Sequence, residues 1–153
     1  MTTNWQSLSA SSQYRTALAI RQALEAGDQA EAVAGLEELI DAMSRSDKRA
    51  LKSQLVRLMA HVIKWRSQPE RRSLGWVASI ESAREEIADI REETPSLNEA
   101  VIQALWERAF ATALRQAEAE IGHRAQIDAL TWAEVFETMY RLDPSASMRD
   151  SPS

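Results

Sequence analysis

The chain has 153 residues, of which 44% are hydrophobic and 27% are charged, a length and composition typical of one globular domain with its own core. Cysteine is absent, which excludes disulfide bonds, thiol catalysis and cysteine-ligated zinc. The net charge is −5, but residues 45–72, here called the basic segment, hold nine basic and two acidic residues and carry +7, so the remainder carries −12.

Residue usage predicts long helices. The chain has only four glycines and four prolines, and helix-forming residues dominate it. The first residues, MTTNWQSLSASSQY, lack the basic region and apolar run of a signal peptide. No stretch approaches the roughly 20 apolar residues of a transmembrane helix. We therefore predict a cytoplasmic all-α protein without membrane contact.

Periodicity predicts two helices before the basic segment. The first covers about 11–26, with Tyr14 and Leu24 among its apolar positions, and Gly27 ends it. Asp28, with Glu31 three residues later, has the spacing of a capping box and opens the second helix. This helix carries an apolar stripe at 3-4-3 spacing, formed by Val33, Leu36, Ile40 and Met43.

A third helix is predicted over about 47–67 and has the widest apolar surface. Two adjacent apolar stripes cover about half of its circumference, which predicts contacts with several neighbours and a central place in a bundle. The first stripe is Leu51, Leu55, Leu58, Val62 and Trp65, and the second is Val56, Met59 and Ile63. Pro69 ends this helix.

Three further helices follow. The fourth covers about 73–93 and ends at Thr94-Pro95, and the fifth covers about 97–121, opened by a Ser96 capping box and stopped by Gly122. Thr131 with Glu134 opens a short sixth helix. Together these elements predict an all-α, antiparallel helical bundle of about five to six helices, with a single helical domain over 1–142 and a disordered C-terminal tail over 143–153.

The sequence has no recognisable catalytic or metal-binding motif. Glu120 and His123 have the Glu-x-x-His spacing of a di-iron bundle, but such a site needs a second copy, and Leu58 stands three residues before His61. A glycine-rich phosphate loop and a Gly-x-Ser-x-Gly turn are also missing. We therefore expect no catalytic residue, no metal and no cofactor, and catalysis is the less favoured alternative.

The basic segment has two interpretations. Its cations are candidate contacts to nucleic-acid phosphates: Arg49, Arg57, Lys64, Arg71 and Arg72. Alternatively, they pair with an acidic row on the fourth helix, formed by Glu81, Glu85, Asp89 and Glu93, which would set Arg57 near Glu81. A third hypothesis is a small anion or ligand pocket around His61, Arg71, Arg72 and Trp76.

Residues 61–76, here called the motif segment, read HVIKWRSQPERRSLGW. This run resembles the bacterial family catalogued as domain of unknown function 29, whose members often read close to H-L-L-K-W-x-x-Q-P-E-R-R-S-x-x-W. The matching positions, which are candidate binding or motif residues, are His61, Lys64, Trp65, Gln68, Pro69, Glu70, Arg71, Arg72, Ser73 and Trp76. The resemblance implies an all-helical fold and a bacterial origin, and it supplies no biochemical function.

Elimination of catalytic motifs, together with helix faces rich in alanine and tryptophan, favours a non-enzymatic protein–protein interaction or oligomerisation module. The expected partner is a second copy of the chain or another protein. Nucleic-acid or anion binding through the basic segment 45–72 is the alternative. An exposed apolar patch on the folded chain is the feature that the first hypothesis requires.

Overall fold

A computed structural model describes residues 3–143, and every regular element in this part of the chain is helical. The all-α helical bundle predicted from the sequence is confirmed. None of its helices combines the length and the apolar character that crossing a lipid bilayer requires. The five α-helices are α1 (Trp5–Ser11), α2 (Gln13–Glu25), α3 (Gln29–Ser67), α4 (Leu74–Glu93) and α5 (Glu99–Ile121), joined by a 3₁₀ turn (Pro69–Arg71) and a π-helical turn (Ala133–Glu137).

The chain divides into two compact units, the first ending at Arg49 and the second beginning at Ala50. The single domain expected over 1–142 stays a prediction. Of the tail predicted over 143–153, residues 144–153 lie outside the described residues.

The helix α3 is continuous over 39 residues, where the sequence pattern predicts two helices that meet near residue 47. Ser46 and Asp47 are residue types that favour helix caps, which is the origin of the predicted boundary. Inside a helix each costs less than about 0.7 kcal/mol relative to alanine. Neither glycine nor proline occurs between Gly35 and Pro69, so the backbone hydrogen bonds continue through this region.

The first unit has a small core around Trp5 of α1, a helix that the periodicity does not predict. Trp5, Ile20 and Ala32 are buried together, and the Trp5 indole Nε1 donates to Glu31 Oε2 at 2.8 Å. Gly35 lies against the indole: a Cβ atom added there would stand 2.7 Å from the Trp5 ring. The two helices approach this closely only because Gly35 has no side chain.

The inward face of α2 differs from the predicted one. Tyr14 and Leu24 are exposed, whereas Thr16 and Ile20 are buried. The helix predicted over about 11–26 is present as α2, and Ser12 caps its start by accepting from the Arg15 amide at 3.1 Å.

The core of the second unit confirms the central place predicted for the C-terminal part of α3. Both predicted stripes are buried there: Leu51, Leu55, Leu58, Val62 and Trp65, and Val56, Met59 and Ile63. The helices α4 and α5 contribute facing apolar residues to the same cluster, among them Ile80, Ile87, Ile102 and Ala109.

Helix ends follow the predicted stop signals more closely than the start signals. Gly27 and Gly122 adopt positive φ angles of 78° and 84° after α2 and α5, the left-handed conformation that glycine adopts without strain. The predicted cap of α5 at Ser96 is wrong. Asn98 caps it instead, and its Oδ1 accepts from the Val101 amide at 3.2 Å.

The predicted sixth helix is a single π-helical turn. Thr131 and Glu134 form the expected capping box: the Thr131 amide donates to Glu134 Oε1, and the Glu134 amide donates to Thr131 Oγ1. The Thr138 amide then donates to Ala133 O, five residues back, and this bond widens the turn and ends it.

Candidate functional site

The motif segment covers the end of α3, the 3₁₀ turn and the first turn of α4. His61, Lys64 and Trp65 lie on α3, and Ser73 caps α4 by accepting from the Trp76 amide at 3.2 Å. Along this segment, buried polar side chains alternate with exposed ones. The contacts of the buried side chains hold the segment in place.

Among the described residues Lys64 is the only charged one that is buried, with 7% of its surface exposed. Its Nζ donates to Glu120 Oε2 on α5 at 2.5 Å and lies 5.5 Å from the centre of the Trp76 ring. The carboxylate and the ring face both stabilise the ammonium charge. The contact between Lys64 and Glu120 connects α3 to α5.

Gln68 makes a second contact between these parts of the chain. Its Nε2 lies 3.0 Å from His123 Nε2, and His123 Nδ1 lies 3.0 Å from Arg124 O. A carbonyl oxygen only accepts, so Nδ1 carries the proton and donates to Arg124, and Nε2 accepts from the Gln68 amide. His123 therefore has a hydrogen-bond partner at each of its two ring nitrogens.

Arg72 folds back onto α3. Its Nε donates to Trp65 O at 2.8 Å, and its guanidinium carbon lies 4.7 Å from the centre of the Trp65 ring. Tyr140, near the end of the described chain, contacts the same indole edge to face with a centroid distance of 5.5 Å. The guanidinium satisfies a carbonyl that the end of α3 leaves without a helical partner.

His61 lies half-buried one turn before Trp65. Its Nδ1 is 2.8 Å from Arg57 O, which accepts a hydrogen bond from the ring. Burial lowers the pKa of His61, the Arg57 carbonyl opposes that change, and the neighbouring Lys64 charge adds to it. The lowered pKa favours the neutral imidazole at pH 7, with Nδ1 as the donor to Arg57 O.

Of the ten family-matching positions in the motif segment, four are exposed: Pro69, Glu70, Arg71 and Arg72. Of these, Arg72 is engaged with Trp65, so Arg71 is the cation of the 3₁₀ turn that presents its charge to solvent. The buried side chains contact other parts of the second unit, whereas the exposed ones face solvent. The motif segment thus acts first as a structural joint between α3, α4 and α5.

The candidate nucleic-acid contacts differ in their exposure and in their partners. Lys64 is buried against Glu120, Arg49 belongs to the first unit, and Arg57 Nη1 donates to Gln54 Oε1 at 3.1 Å. Within residues 3–143, Arg57 forms no ion pair with Glu81, so the expected pairing of these two side chains is wrong. The reason is local: Gln54 is one helical turn away on the same face of α3.

Two arginines outside the candidate set anchor the C-terminal turn. Arg84 donates to the carbonyls of Val135 and Thr138 at 2.8 Å each and to that of Glu134 at 3.3 Å. Arg66 Nη1 lies 3.0 Å from Glu134 Oε2. No spacing rule reveals these contacts, because each joins residues at least 50 positions apart.

The remaining candidate surface is an apolar stripe on the N-terminal part of α3, here called the apolar seam. A stripe with helical spacing normally faces a core, but this one is open to solvent. The exposed fractions are 48% for Val33, 47% for Leu36, 57% for Ile40 and 46% for Met43. The inward side of the helix carries small residues instead, namely Ala32, Gly35 and Ala42.

The described residues contain no group of three or more side chains suited to hold a metal ion. Glu120 and His123, the pair with di-iron spacing, are engaged with Lys64 and Gln68. What the chain offers chemically is therefore a neutral imidazole at His61, exposed cations and an apolar helix face.

Comparison with known proteins identifies the family. The family model described as "Domain of unknown function DUF29" matches residues 17–141, most of the chain. The chain belongs to the DUF29 family. No curated protein and no solved structure matches it. In this DUF29 protein the match contains the whole motif segment, the Arg84 anchor and the apolar seam.

Proposed function

We propose that this DUF29 protein is a non-enzymatic oligomerisation module and that its apolar seam binds the seam of a second copy. The observation that carries the proposal is the exposure of four large apolar side chains on one face of α3. Exposed apolar patches of this kind are typical of protein–protein interfaces. The cytoplasmic location and the bacterial origin expected from the sequence are part of the same proposal.

The seam is complementary to itself, which favours a second copy as the partner. Val33 and Met43 lie five residues either side of residue 38, and Leu36 and Ile40 lie two residues either side. Two antiparallel copies crossing at residue 38 therefore pair Val33 with Met43 and Leu36 with Ile40. Every seam residue then has a partner of similar size, as a two-fold symmetric interface requires.

The charges along α3 favour the antiparallel orientation. Residues 28–41 hold five acidic residues and no basic ones, whereas residues 45–49 hold three basic residues and one acidic residue. In a parallel pair each acidic stretch would lie beside another acidic stretch. In an antiparallel pair the basic stretch of each copy lies beside the acidic end of the other. This charge complementarity favours the antiparallel over the parallel orientation.

Sedimentation equilibrium from 1 to 200 µM protein tests the proposal. We expect a monomer–dimer equilibrium in the wild type and a monomer in Leu36→Glu and Ile40→Glu, because each would bury a charge in the seam. Leu74→Glu is the matched control, since Leu74 is an exposed apolar residue at the start of α4. A wild type that stays monomeric at 200 µM contradicts the proposal.

Nucleic-acid binding through the basic segment is the rival proposal, and it rests on the exposed Arg71 and the net charge of the segment. Lys64 is buried and Arg72 is hydrogen-bonded to Trp65, so fewer cations of the basic segment are available to bind phosphates. Fluorescence anisotropy with labelled DNA and RNA distinguishes the two. Binding that weakens steeply with salt and is lost in Arg71→Gln would support it.

A further inference from the structure

The first unit contains an open polar groove of about 320 Å³ on the opposite side of α3 from the apolar seam. One wall of the groove is the junction between α1 and α2, and the other wall is the part of α3 over residues 42–49. At 100° per residue, Arg45 and Arg49 project about 160° away from the centre of the seam, so the two surfaces do not overlap. The groove is lined by Ser11, Ser12, Gln13, Arg45, Ser46 and Arg49, among others.

Arg45 and Arg49 give the groove its charge. They lie one turn apart on the same face of α3, where two like charges destabilise a helix by a few tenths of a kcal/mol. Both are exposed, and neither forms an ion pair or a side-chain hydrogen bond within residues 3–143. Two adjacent guanidinium groups without an acceptor are suited to bidentate capture of a phosphate.

The opposite wall of the groove adds donors of its own. Ser12 Oγ accepts from the Arg15 amide, so the hydroxyl proton of Ser12 is free to donate to a ligand. Within the described chain the amides of Gln13 and Tyr14, in the first turn of α2, have no hydrogen-bond acceptor. The positive end of the α2 dipole lies at the same place.

We propose that this groove binds a phosphate-bearing small molecule, with Arg45 and Arg49 holding the phosphate against the first turn of α2. The volume of the groove lies at the lower end of the range for small-molecule sites, so it accommodates more than a bare phosphate ion. The site is independent of the proposed oligomerisation, because the seam lies on the other side of α3.

Titration of the ¹⁵N-labelled full chain with sodium pyrophosphate at low ionic strength, followed by NMR, tests the proposal. We expect saturable shifts of the Gln13 and Tyr14 amide resonances. Arg45→Gln and Arg49→Gln should each raise the Kd at least tenfold, since a charge-assisted hydrogen bond contributes about that factor or more. Arg45→Lys keeps the charge but loses the bidentate geometry, and we expect an intermediate Kd.

Arg21→Gln is the matched control, because Arg21 is an exposed arginine of the same unit that pairs with Glu25 on α2 at 3.9 Å. It should bind pyrophosphate like the wild type. Unchanged melting temperatures verify that the variants are folded. Sodium chloride at matched ionic strength producing the same shifts, or Arg21→Gln weakening binding as much as Arg45→Gln, overturns the proposal.

Discussion

Gly35 shows how one residue sets the distance between two elements of the first unit. A Cβ atom at this position would stand 2.7 Å from the Trp5 ring and 2.8 Å from Ile20 Cγ1, closer than side-chain carbons approach. We expect Gly35→Ala to lower the free energy of unfolding by about 1–3 kcal/mol, the usual cost of overpacking a core. Guanidinium denaturation measures the change.

Gly75→Ala is the control for Gly35→Ala. Gly75 also lies in a helix, but the nearest atom to its added Cβ is Ser73 Oγ at 3.6 Å, an ordinary contact. The same change should there leave the free energy of unfolding unchanged or raise it by up to about 1 kcal/mol, because alanine favours helix formation over glycine. Equal destabilisation by both substitutions would show that the indole contact is not the cause.

His61 makes the free energy of unfolding depend on pH near neutrality. Burial, the largest cause, lowers its pKa in the folded chain, so the unfolded chain binds a proton more readily. Stability is therefore fully present above about pH 6.5, the unfolded value, and falls as the pH decreases below it. We expect His61→Gln to flatten the stability profile between pH 7.5 and 5.5. Urea denaturation at several pH values measures it, and an unchanged slope would contradict the assignment.

Lys64 illustrates what residue-level reasoning from the sequence misses. A lysine on a helix normally extends into solvent, so the sequence predicts that Lys64 is exposed and available to bind a phosphate. Its burial follows from Glu120, a residue 56 positions later, and from the Trp76 ring, which together compensate the loss of water. Residue spacing along α3 alone reveals neither Glu120 nor Trp76 as a partner of Lys64.

At the scale of elements, Arg84 fixes the C-terminal π-helical turn. Its three hydrogen bonds to backbone carbonyls satisfy groups that this short turn cannot satisfy itself. We expect Arg84→Met to lower the free energy of unfolding by about 1–3 kcal/mol and to accelerate hydrogen exchange at residues 133–138. Guanidinium denaturation and exchange measured by mass spectrometry test this.

Arg115→Met is the control for Arg84→Met. Arg115 is exposed on α5, and its side chain donates only to Thr112 Oγ1, at 3.5 Å, among the described residues. Its substitution should change the free energy of unfolding by less than about 0.5 kcal/mol and leave exchange at residues 133–138 as in the wild type. Faster exchange in this variant as well would mean that the turn opens independently of Arg84.

The helices were predictable where stop signals are strong and were not where they are weak. Gly27 and Gly122 mark real ends because glycine adopts the left-handed conformation that ends a helix, and Pro69 marks one because it has no amide hydrogen to donate. Ser46 and Asp47 are tolerated inside α3, whereas Ser12 is the cap of α2. Whether such a residue caps a helix or lies inside one depends on the tertiary contacts of the residues around it. The local sequence does not contain that information.

For the whole molecule, self-association through the apolar seam would couple stability to concentration. A partner that binds only the folded chain raises the melting temperature by mass action. Between 5 and 200 µM we expect an increase of about 2–5 °C in the wild type, for a dimer with a dissociation constant of about 10 µM. Differential scanning calorimetry measures it. Leu36→Glu should show no such increase, and a wild-type melting temperature independent of concentration would count against the dimer.

Much of the molecule follows from its sequence alone. Residue usage determines the all-α class. The double stripe over residues 51–65 determines the centre of the second unit, because eight apolar residues there have no other place to be buried. The family resemblance is also in the sequence, since the family model matches residues 17–141. These conclusions depend on composition and on spacing along one helix.

Only the tertiary structure decided which apolar and charged residues are used internally. In the first unit Trp5 and Gly35 form a close contact that turns small residues of α3 inward, and the larger seam residues remain exposed as a consequence. In the second unit Lys64 is buried and paired with Glu120, so the basic segment presents one cation fewer to solvent. Both outcomes depend on residues distant in sequence, since burial is a property of what packs against a side chain.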